Sequence, residues 1–202
     1  MFNRINKNII SLFILFIIGI GSLDFNYAQS EESVYSVNAY FGLGYSIFLS
    51  ELDYETLSKS GFSGTVRIMW EPEHLLSIGL ESGYLQIYKL DNLQVEGPRQ
   101  THGITSILNA VPIIAVFSMK IIDNFKLSVG SGMYILYSHV EALDNPVTTS
   151  QLSTGSYFAA TYFHKLSGIF SLGGELKYYY INKIEDGDLS LQIALQYKFL
   201  TY

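Results

Sequence analysis

Apolar and polar side chains alternate through most of the chain after residue 33. The segment from Leu189 to Phe199 is the clearest case, with Leu, Ile, Tyr or Phe at each odd position and Ser, Gln, Ala or Lys between them. A period of two places successive side chains on opposite faces of a β-strand. Helical spacing is not sustained anywhere after residue 33, so the pattern predicts an all-β protein.

The alternation divides into eight predicted strands. They are expected at 34–49, 61–70, 75–90, 101–120, 125–140, 154–164, 169–181 and 189–199. Strands would then cover about 65% of the chain after residue 28, far more than in a typical soluble domain. The connections are 11, 4, 10, 4, 13, 4 and 7 residues long, so long and short ones alternate. Short periplasmic turns and long external loops are typical of outer-membrane barrels.

These features predict an eight-stranded antiparallel up-and-down transmembrane β-barrel with both termini in the periplasm. A soluble barrel with an apolar interior is the alternative. The polar face consists mainly of Gly, Ser, Thr, Ala and Gln, which fit the narrow interior of eight strands, whereas the Leu, Ile and Val of the other face suit lipid. Aromatic residues near the strand ends are expected to form the interfacial girdles. They are Phe62, Trp70, Tyr88, Tyr137, Tyr180, Tyr197 and Phe199.

Five charged residues fall on the polar face and are expected inside the barrel. They are Arg67, Glu81, Glu175, Lys177 and Lys198. Charges in a narrow interior must pair. A last hairpin centred within 182–188 puts Glu175 opposite Lys198 and Lys177 opposite Gln196. A hairpin centred near Glu73 puts Arg67 opposite Gly79, one diagonal step from Glu81. An interior plugged by such side chains argues against an open diffusion pore.

The first 28 residues have the layout of a secretory signal peptide. Arg4 and Lys7 precede an apolar run from Ile9 to Leu23, and the small residue Ala28 suits cleavage. A membrane anchor is the alternative, but the run is shorter than the roughly 18–20 residues that span hydrocarbon. We therefore expect a signal peptide at 1–28 and a barrel domain at 29–202 in the bacterial outer membrane.

Composition excludes several classes of function. With 12 Lys and Arg against 18 Asp and Glu, the net charge of −6 offers no basic surface for nucleic acid. The absence of cysteine excludes disulfides, thiolate metal sites and Cys nucleophiles. Acidic residues concentrate in the predicted external loops, where solvation explains them and cation-bridged contact with lipopolysaccharide is the alternative. They include Glu51, Asp53, Glu55, Asp91, Glu96, Asp144, Glu185, Asp186 and Asp188.

Motifs of catalysis and metal binding are largely missing. The four histidines lack zinc-site spacing, and G-x-S-x-G is absent. Ser138, His139 and Glu141 form the one Ser/His/carboxylate grouping near a loop, but adjacent strand residues point to opposite faces, so Ser138 and His139 cannot pair directly. We predict no catalytic, cofactor or metal site.

Two strands carry a resemblance to a known group of proteins. Val111-Pro112-Ile113-Ile114, a short turn, and Val129-Gly130-Ser131-Gly132-Met133-Tyr134 resemble the outer-membrane β-barrel families of Bacteroidetes called porin-family or PorT-like, as does Gly173–Tyr178. The start of the sixth strand, Thr154–Tyr157, departs from the Asp-Gly-rich family pattern. The resemblance implies an outer-membrane barrel of undefined function and transfers no catalytic residue. Because proline in a strand marks an edge or a bulge, Pro112 predicts a bulge.

The last strand resembles the signal that the barrel-assembly machinery recognises during insertion. Phe199 is in phase with the alternation, which makes Leu200–Tyr202 a short overhang; Tyr202 after a bulge is the alternative. Three functions stay open: a non-catalytic barrel with a structural or loop-mediated interaction role, an accessory subunit of a type IX secretion or barrel-assembly machine, and a lipid-modifying enzyme. The expected partners are outer-membrane lipid, lipopolysaccharide, the assembly machinery and other envelope proteins, with no nucleic acid.

Overall fold

The computed structural model describes residues 35–50, 57–72, 75–96, 101–142 and 145–201. The predicted signal peptide lies outside these ranges, as do Glu51, Asp53, Glu55 and Asp144 of the predicted loops. The described part of the chain contains no helix that is long and apolar enough to cross a membrane. The elements there are strands, listed here in chain order: β1 (Ser36–Phe48), β2 (Leu57–Ser58), β3 (Ser60–Glu71), β4 (Leu76–Glu96), β5 (Thr101–Ile122), β6 (Phe125–Ala142), β7 (Asn145–Lys165), β8 (Phe170–Ile181) and β9 (Asp186–Thr201).

Eight of these strands close into an antiparallel barrel. Each pairs with the next along the chain, from β3 to β9, and β1 joins β3 to β9. The two-residue β2 lies beside β4, outside this cycle. The predicted eight-stranded antiparallel barrel is therefore confirmed. Closure leaves no open edge around the ring itself, where each strand has a neighbour on both sides.

The period of two in the sequence becomes the inside and outside of the barrel. In β9, Ser190, Gln192 and Ala194 are buried, whereas Leu191 and Ile193 between them are 66% and 70% exposed. The same arrangement recurs around the ring, where every barrel strand exposes a large apolar side chain. Examples from the eight strands are Leu43, Ile68, Leu80, Phe117, Val129, Phe158, Leu176 and Ile193.

The two ends of the barrel differ. At the end we call the turn end, β1 begins, β9 ends, and the connections span 72–75, 123–124 and 166–169. At the opposite, extended end the predicted loops 91–100 and 141–153 are mostly strand, with pairs such as Gln94 with Gly103 and Ser138 with Thr149. The predicted long loops are wrong there, because backbone pairing continues after the apolar alternation stops.

Bulges occur at places that the sequence did not indicate. The register of β4 against β5 shifts between Gln86 and Tyr88. The register of β9 against β1 shifts so that Val37 pairs with Leu200 and Asn38 with Lys198, and β9 ends at Thr201. Leu200 and Thr201 are thus paired rather than an overhang, and Tyr202 lies outside the described residues. No register shift occurs at Pro112, which pairs with Tyr134.

Candidate functional site

Four charged side chains meet in the middle of the barrel interior. Arg67 on β3 lies directly opposite Glu81 on β4, and Glu175 and Lys177 reach them from β8. All four residues are at most 4% exposed. Arg67 Nη1 lies 3.4 Å from Glu81 Oε2, and Lys177 Nζ lies 2.9 Å from the same oxygen and 3.1 Å from Glu175 Oε2. Arg67 Nη2 completes the ring of ion pairs with Glu175 Oε1.

Tyrosine hydroxyls satisfy further groups of this quartet, by which we mean Arg67, Glu81, Glu175 and Lys177. The Tyr179 hydroxyl donates to Glu81 Oε1 at 2.9 Å, and the Tyr157 hydroxyl donates to Glu81 Oε2 at 3.3 Å. Arg67 Nη1 in turn donates to the Tyr157 oxygen at 2.8 Å. Buried charges are stable only when paired and hydrogen-bonded. Each charged group of the quartet has an ion pair and a hydrogen bond, while Arg67 Nε has no partner among the described residues.

Hydroxyl and amide side chains continue the network towards β9. Lys177 Nζ donates to Thr65 Oγ1 at 2.7 Å, and the Thr65 hydroxyl donates to Gln192 Oε1 at 2.8 Å. Gly42 leaves the space for this contact, because a Cβ there would lie 2.3 Å from Gln192 Oε1. A larger residue at position 42 would therefore displace Gln192, and the sequence alone offers no sign of that constraint.

A second ionic cluster lies nearer the turn end. Lys126 Nζ is 2.5 Å from Glu71 Oε1 and donates to the Tyr40 oxygen at 3.0 Å, while the Tyr40 hydroxyl donates to Glu71 Oε1 at 2.8 Å. The guanidinium carbon of Arg67 lies 4.7 Å from the Tyr40 ring centroid, which joins this cluster to the quartet. The sequence pattern does not predict either ion inside the barrel: Glu71 falls just after the predicted strand 61–70, and Lys126 is in phase with the buried Ser128.

The turn between β5 and β6 carries an exposed ion pair. Lys120 Nζ lies 2.8 Å from Asp123 Oδ1. The hydrogen bond from Lys120 lowers the pKa of the Asp123 carboxyl. Because Asp123 is solvated, this pair contributes little to stability.

Asp188 lies inside the barrel towards the extended end and has no such partner. It is 1% exposed, and among the described residues neither carboxylate oxygen has a hydrogen-bond partner, since the Ser46 hydroxyl beside it donates to the carbonyl of Gln86 at 3.2 Å. Its strand neighbours are Phe48 on β1 and Tyr179 on β8. The sequence pattern assigned Asp188 to an external loop, so this is a correction. The turn comprises residues 182–185, which leaves Asp188 in β9 and in phase with the buried Ser190.

The predicted pairing of the remaining interior charges is wrong. Glu175 lies opposite Gln192 and Lys177 opposite Ser190, because the β8–β9 turn comes earlier in the chain than predicted. Glu185, the last residue of this turn, has a φ of 55°, in the left-handed region. Lys198 is half-buried on the interior face, pairs with Asn38 on β1, and makes no ion pair within the described ranges. Arg67 faces Glu81 itself, whereas Gly79 lies opposite Met69.

Most of the predicted girdle residues lie on the outer surface. Phe62, Trp70, Tyr137, Tyr197 and Phe199 are exposed there, and Tyr180 is half-buried. The rings of Phe170 and Tyr197 stack at 5.1 Å, and those of Tyr197 and Phe199 are 6.3 Å apart, so an aromatic cluster marks the turn end.

Tyr88 differs from this group. It packs against the interior core, with its ring 5.8 Å from that of the buried Phe48. The bulge between Gln86 and Tyr88 adds one residue and reverses the phase of the strand, which turns Tyr88 inward. Its assignment to a girdle is therefore wrong.

The Ser/His/carboxylate grouping takes a different form from the one considered in the sequence. His139 Nδ1 lies 2.9 Å from Thr148 Oγ1, and His139 Nε2 lies 3.2 Å from Glu141 Oε1, all on exposed residues of the β6–β7 hairpin. Ser138 pairs with Thr149 on the opposite face. Within the residues described, no three His, Asp or Glu side chains come together as candidate metal ligands.

Comparison with known proteins places the fold. No family model matches the chain, and no curated protein matches it. A solved major outer membrane protein from Thermus thermophilus is similar, with 14% identity over 82% of this chain and 99% of that chain and a TM-score of 0.52. Ail, the attachment invasion locus protein of Yersinia pestis, is similar with 12% identity over 84% of this chain and 100% of that chain and a TM-score of 0.50.

At these identities the likeness shows the fold and nothing finer. The chain has the closed eight-stranded architecture of outer-membrane β-barrels. The resemblance to the Bacteroidetes families stays a prediction.

Proposed function

We propose that this protein is a non-catalytic integral protein of the bacterial outer membrane. The observation that carries the proposal is the inversion of polarity between its two faces. Large apolar side chains are exposed around the whole ring, while Arg67, Glu81, Glu175 and Lys177 are buried inside it. An exposed apolar surface of this extent is incompatible with water and suits the hydrocarbon of a bilayer, where a closed barrel also satisfies the backbone.

In this proposal the interior is closed to diffusion by its own side chains. The ion pairs of the quartet link β3 and β4 to β8 across the lumen. Buried tyrosines of β6, β7 and β8 fill the space beside them, with the ring centroids of Tyr157 and Tyr179 5.4 Å apart and those of Tyr134 and Tyr179 6.4 Å apart. Eight strands enclose a space that side chains fill, so the barrel supports the envelope or presents its extended end to partners rather than conducting solutes.

The proposed orientation has the turn end in the periplasm and the extended end outside. Short turns on the periplasmic side support it. Lipid and lipopolysaccharide surround the outer face, and the barrel-assembly machinery recognises the strand that ends at Phe199–Thr201. A signal peptide cleaved near Ala28 directs export of the chain to the periplasm.

Cell fractionation of the expressed full-length chain tests the proposal. We expect the protein in the outer-membrane fraction, with faster electrophoretic mobility before boiling than after it, because a closed barrel resists detergent. In planar bilayers the purified barrel should give no stable conductance steps. Recovery in the soluble periplasm would contradict the membrane assignment, and regular conductance steps would contradict the closed interior.

A further inference from the structure

The extended end has a strand edge beside which the structure describes no neighbouring strand. β7 pairs with β6 along its whole length, up to Asn145 opposite Ala142. Its pairing with β8 begins only at Gly155 opposite Ile181. Residues 145–153 therefore have β6 on one side and no described strand on the other. We call this stretch the free edge.

Two hydrogen bonds show which backbone groups point to the free edge. The carbonyl of Thr154 accepts from Asn182 N at 3.0 Å, on the β8 side, whereas Phe163 N donates to the carbonyl of Asn124 at 2.8 Å, on the β6 side. Because the N–H and C=O of one strand residue point the same way and alternate along the strand, even-numbered residues point away from β6. The free edge thus presents the donors and acceptors of Thr148, Ser150 and Leu152.

Pro146 agrees with this assignment. It is even-numbered, so the N–H that it lacks would point away from β6, and the β6–β7 pairing of Pro146 with Glu141 loses no donor. Proline is tolerated in strands where its nitrogen faces an open edge.

The free edge lacks most of the protection that exposed edges carry. No charged residue occurs between 145 and 156, and Val147 and Leu152 are 57% and 60% exposed. Exposed edges are normally blunted by charged side chains, proline, bulges or a covering segment. Here the protection in the free edge is the proline at position 146, near its end, which leaves an uncharged run of good strand-forming residues beyond it.

We propose that the free edge binds an extended segment of a second protein, which adds to the sheet as a strand. Backbone hydrogen bonds would supply the affinity, as in other strand-addition complexes. Glu141 lies opposite Pro146 at one end of the free edge; Glu185 and Asp186 lie near the other end, together with Lys183, whose N–H donates to Ser153 Oγ at 3.1 Å. Acidic residues outnumber the one lysine, so the segment has an uncharged, β-branched centre and Lys or Arg at its flanks. This inference rests on the proposed orientation, in which the extended end faces outward.

A second copy of this chain is less suited to the site. Among the described strands, β4 also continues past one of its neighbours. Its pairing with β2 stops at Leu90, and residues 91–96, which include Asp91 and Glu96, run beside β5 alone. Placing that edge against the free edge would add acidic residues where acidic residues already lie. Two free edges paired antiparallel would likewise bring Glu141 of each copy towards Glu185 and Asp186 of the other. Charge complementarity therefore favours a basic-flanked segment from another protein.

Amide hydrogen exchange of the full barrel in phosphatidylcholine nanodiscs tests this inference, with the synthetic peptide KTVTVTK as probe. We expect added peptide to slow exchange at Thr148, Ser150 and Leu152 by about tenfold or more, with little change at Thr149 and Gln151, which already bond to β6. The same peptide N-methylated at every residue between its terminal lysines has no unblocked edge and should have no effect, and ETVTVTE should bind more weakly. Unchanged exchange at the even-numbered amides would overturn the inference.

A matched pair of variants sharpens the test. Ser150→Pro removes a donor of the free edge and leaves the β6 ladder intact, so it should weaken peptide binding about tenfold or more, whereas Ser150→Ala should bind as the parent does. Equal binding by both variants would contradict strand addition. Protection that rises with protein concentration in the absence of peptide would identify a second copy as the occupant and overturn the proposed partner. Heat-dependent mobility, measured in parallel, reports separately whether the membrane barrel itself is formed.

Discussion

Glu175 and Asp188 both face the barrel interior from the β8–β9 hairpin, and their surroundings are opposite. Glu175 pairs with Arg67 and Lys177 and accepts a hydrogen bond from the Thr161 hydroxyl at 2.9 Å. Asp188 is equally buried, yet neither of its oxygens has a hydrogen-bond partner in the part of the chain that the structure describes. Removal from water costs a carboxylate several kcal/mol unless charge and hydrogen bonds replace the solvent. The comparison indicates that the middle of the barrel is stabilised by pairing, while its extended end bears an uncompensated cost.

The largest loss of stability is expected from removing the Glu81 carboxylate, which contacts Arg67, Lys177 and two tyrosine hydroxyls. Glu81→Ala leaves Arg67 and Lys177 with Glu175 alone and should lower the free energy of unfolding by about 3–5 kcal/mol. Urea unfolding in phospholipid vesicles, followed by Trp70 fluorescence, measures the change. Ser82→Ala, at the neighbouring outward position, is the control and should stay within about 0.5 kcal/mol of the parent. A loss below about 1 kcal/mol for Glu81→Ala would mean that the quartet does not stabilise the barrel.

A smaller effect, the coupling free energy between Lys177 and Glu175, distinguishes stabilisation by ion pairing from stabilisation by burial of each side chain alone. Lys177→Met and Glu175→Gln should each destabilise the barrel, but the double variant should lose less than the sum of the two by at least about 1 kcal/mol, because each single variant leaves the other's charge without one of its partners. The same urea titration, applied to all four proteins of the cycle, provides the coupling energy. Strict additivity would show that the two side chains contribute independently despite their 3.1 Å contact.

The smallest effect is expected at Asp188 and has the opposite sign. Asp188→Asn removes a buried carboxylate that has no hydrogen-bond partner among the described residues, so the free energy of unfolding should rise by about 1 kcal/mol. Asp186→Asn, two residues earlier and only half-buried, is the matched control and should change little. Destabilisation by Asp188→Asn would indicate that the carboxylate is compensated and would remove the contrast with Glu175.

The fold could be predicted from the sequence because a period of two is a local property that survives any error of register. The same phase places Arg67, Glu81, Glu175 and Lys177 on the interior face. Their partners could not be predicted, since a pairing depends on where the chain turns. The β8–β9 turn spans residues 182–185, so Glu175 lies opposite Gln192 instead of the predicted Lys198.

Bulges and extended hairpins set a second limit. The extra residue before Tyr88 reverses the phase of β4, and no feature of the local sequence distinguishes it from an unbroken strand. Residues 146–152 show little apolar alternation because side chains on both faces of this stretch are exposed, and such a pattern predicts a loop. The interior position of Asp188 could not be predicted either, because acidic residues next to a glycine indicate a turn more strongly than the start of a strand.

Trp70 offers the most direct test of the central claim that the apolar outer face lies in lipid and the charges lie inside. It is the only tryptophan of the chain, is 43% exposed, and lies on the outer face near the turn end. Its fluorescence should be quenched by brominated phospholipids, more strongly by bromine near the headgroups than by bromine near the bilayer centre, and only weakly by aqueous acrylamide. Strong quenching by acrylamide with no quenching by any brominated lipid would contradict the account.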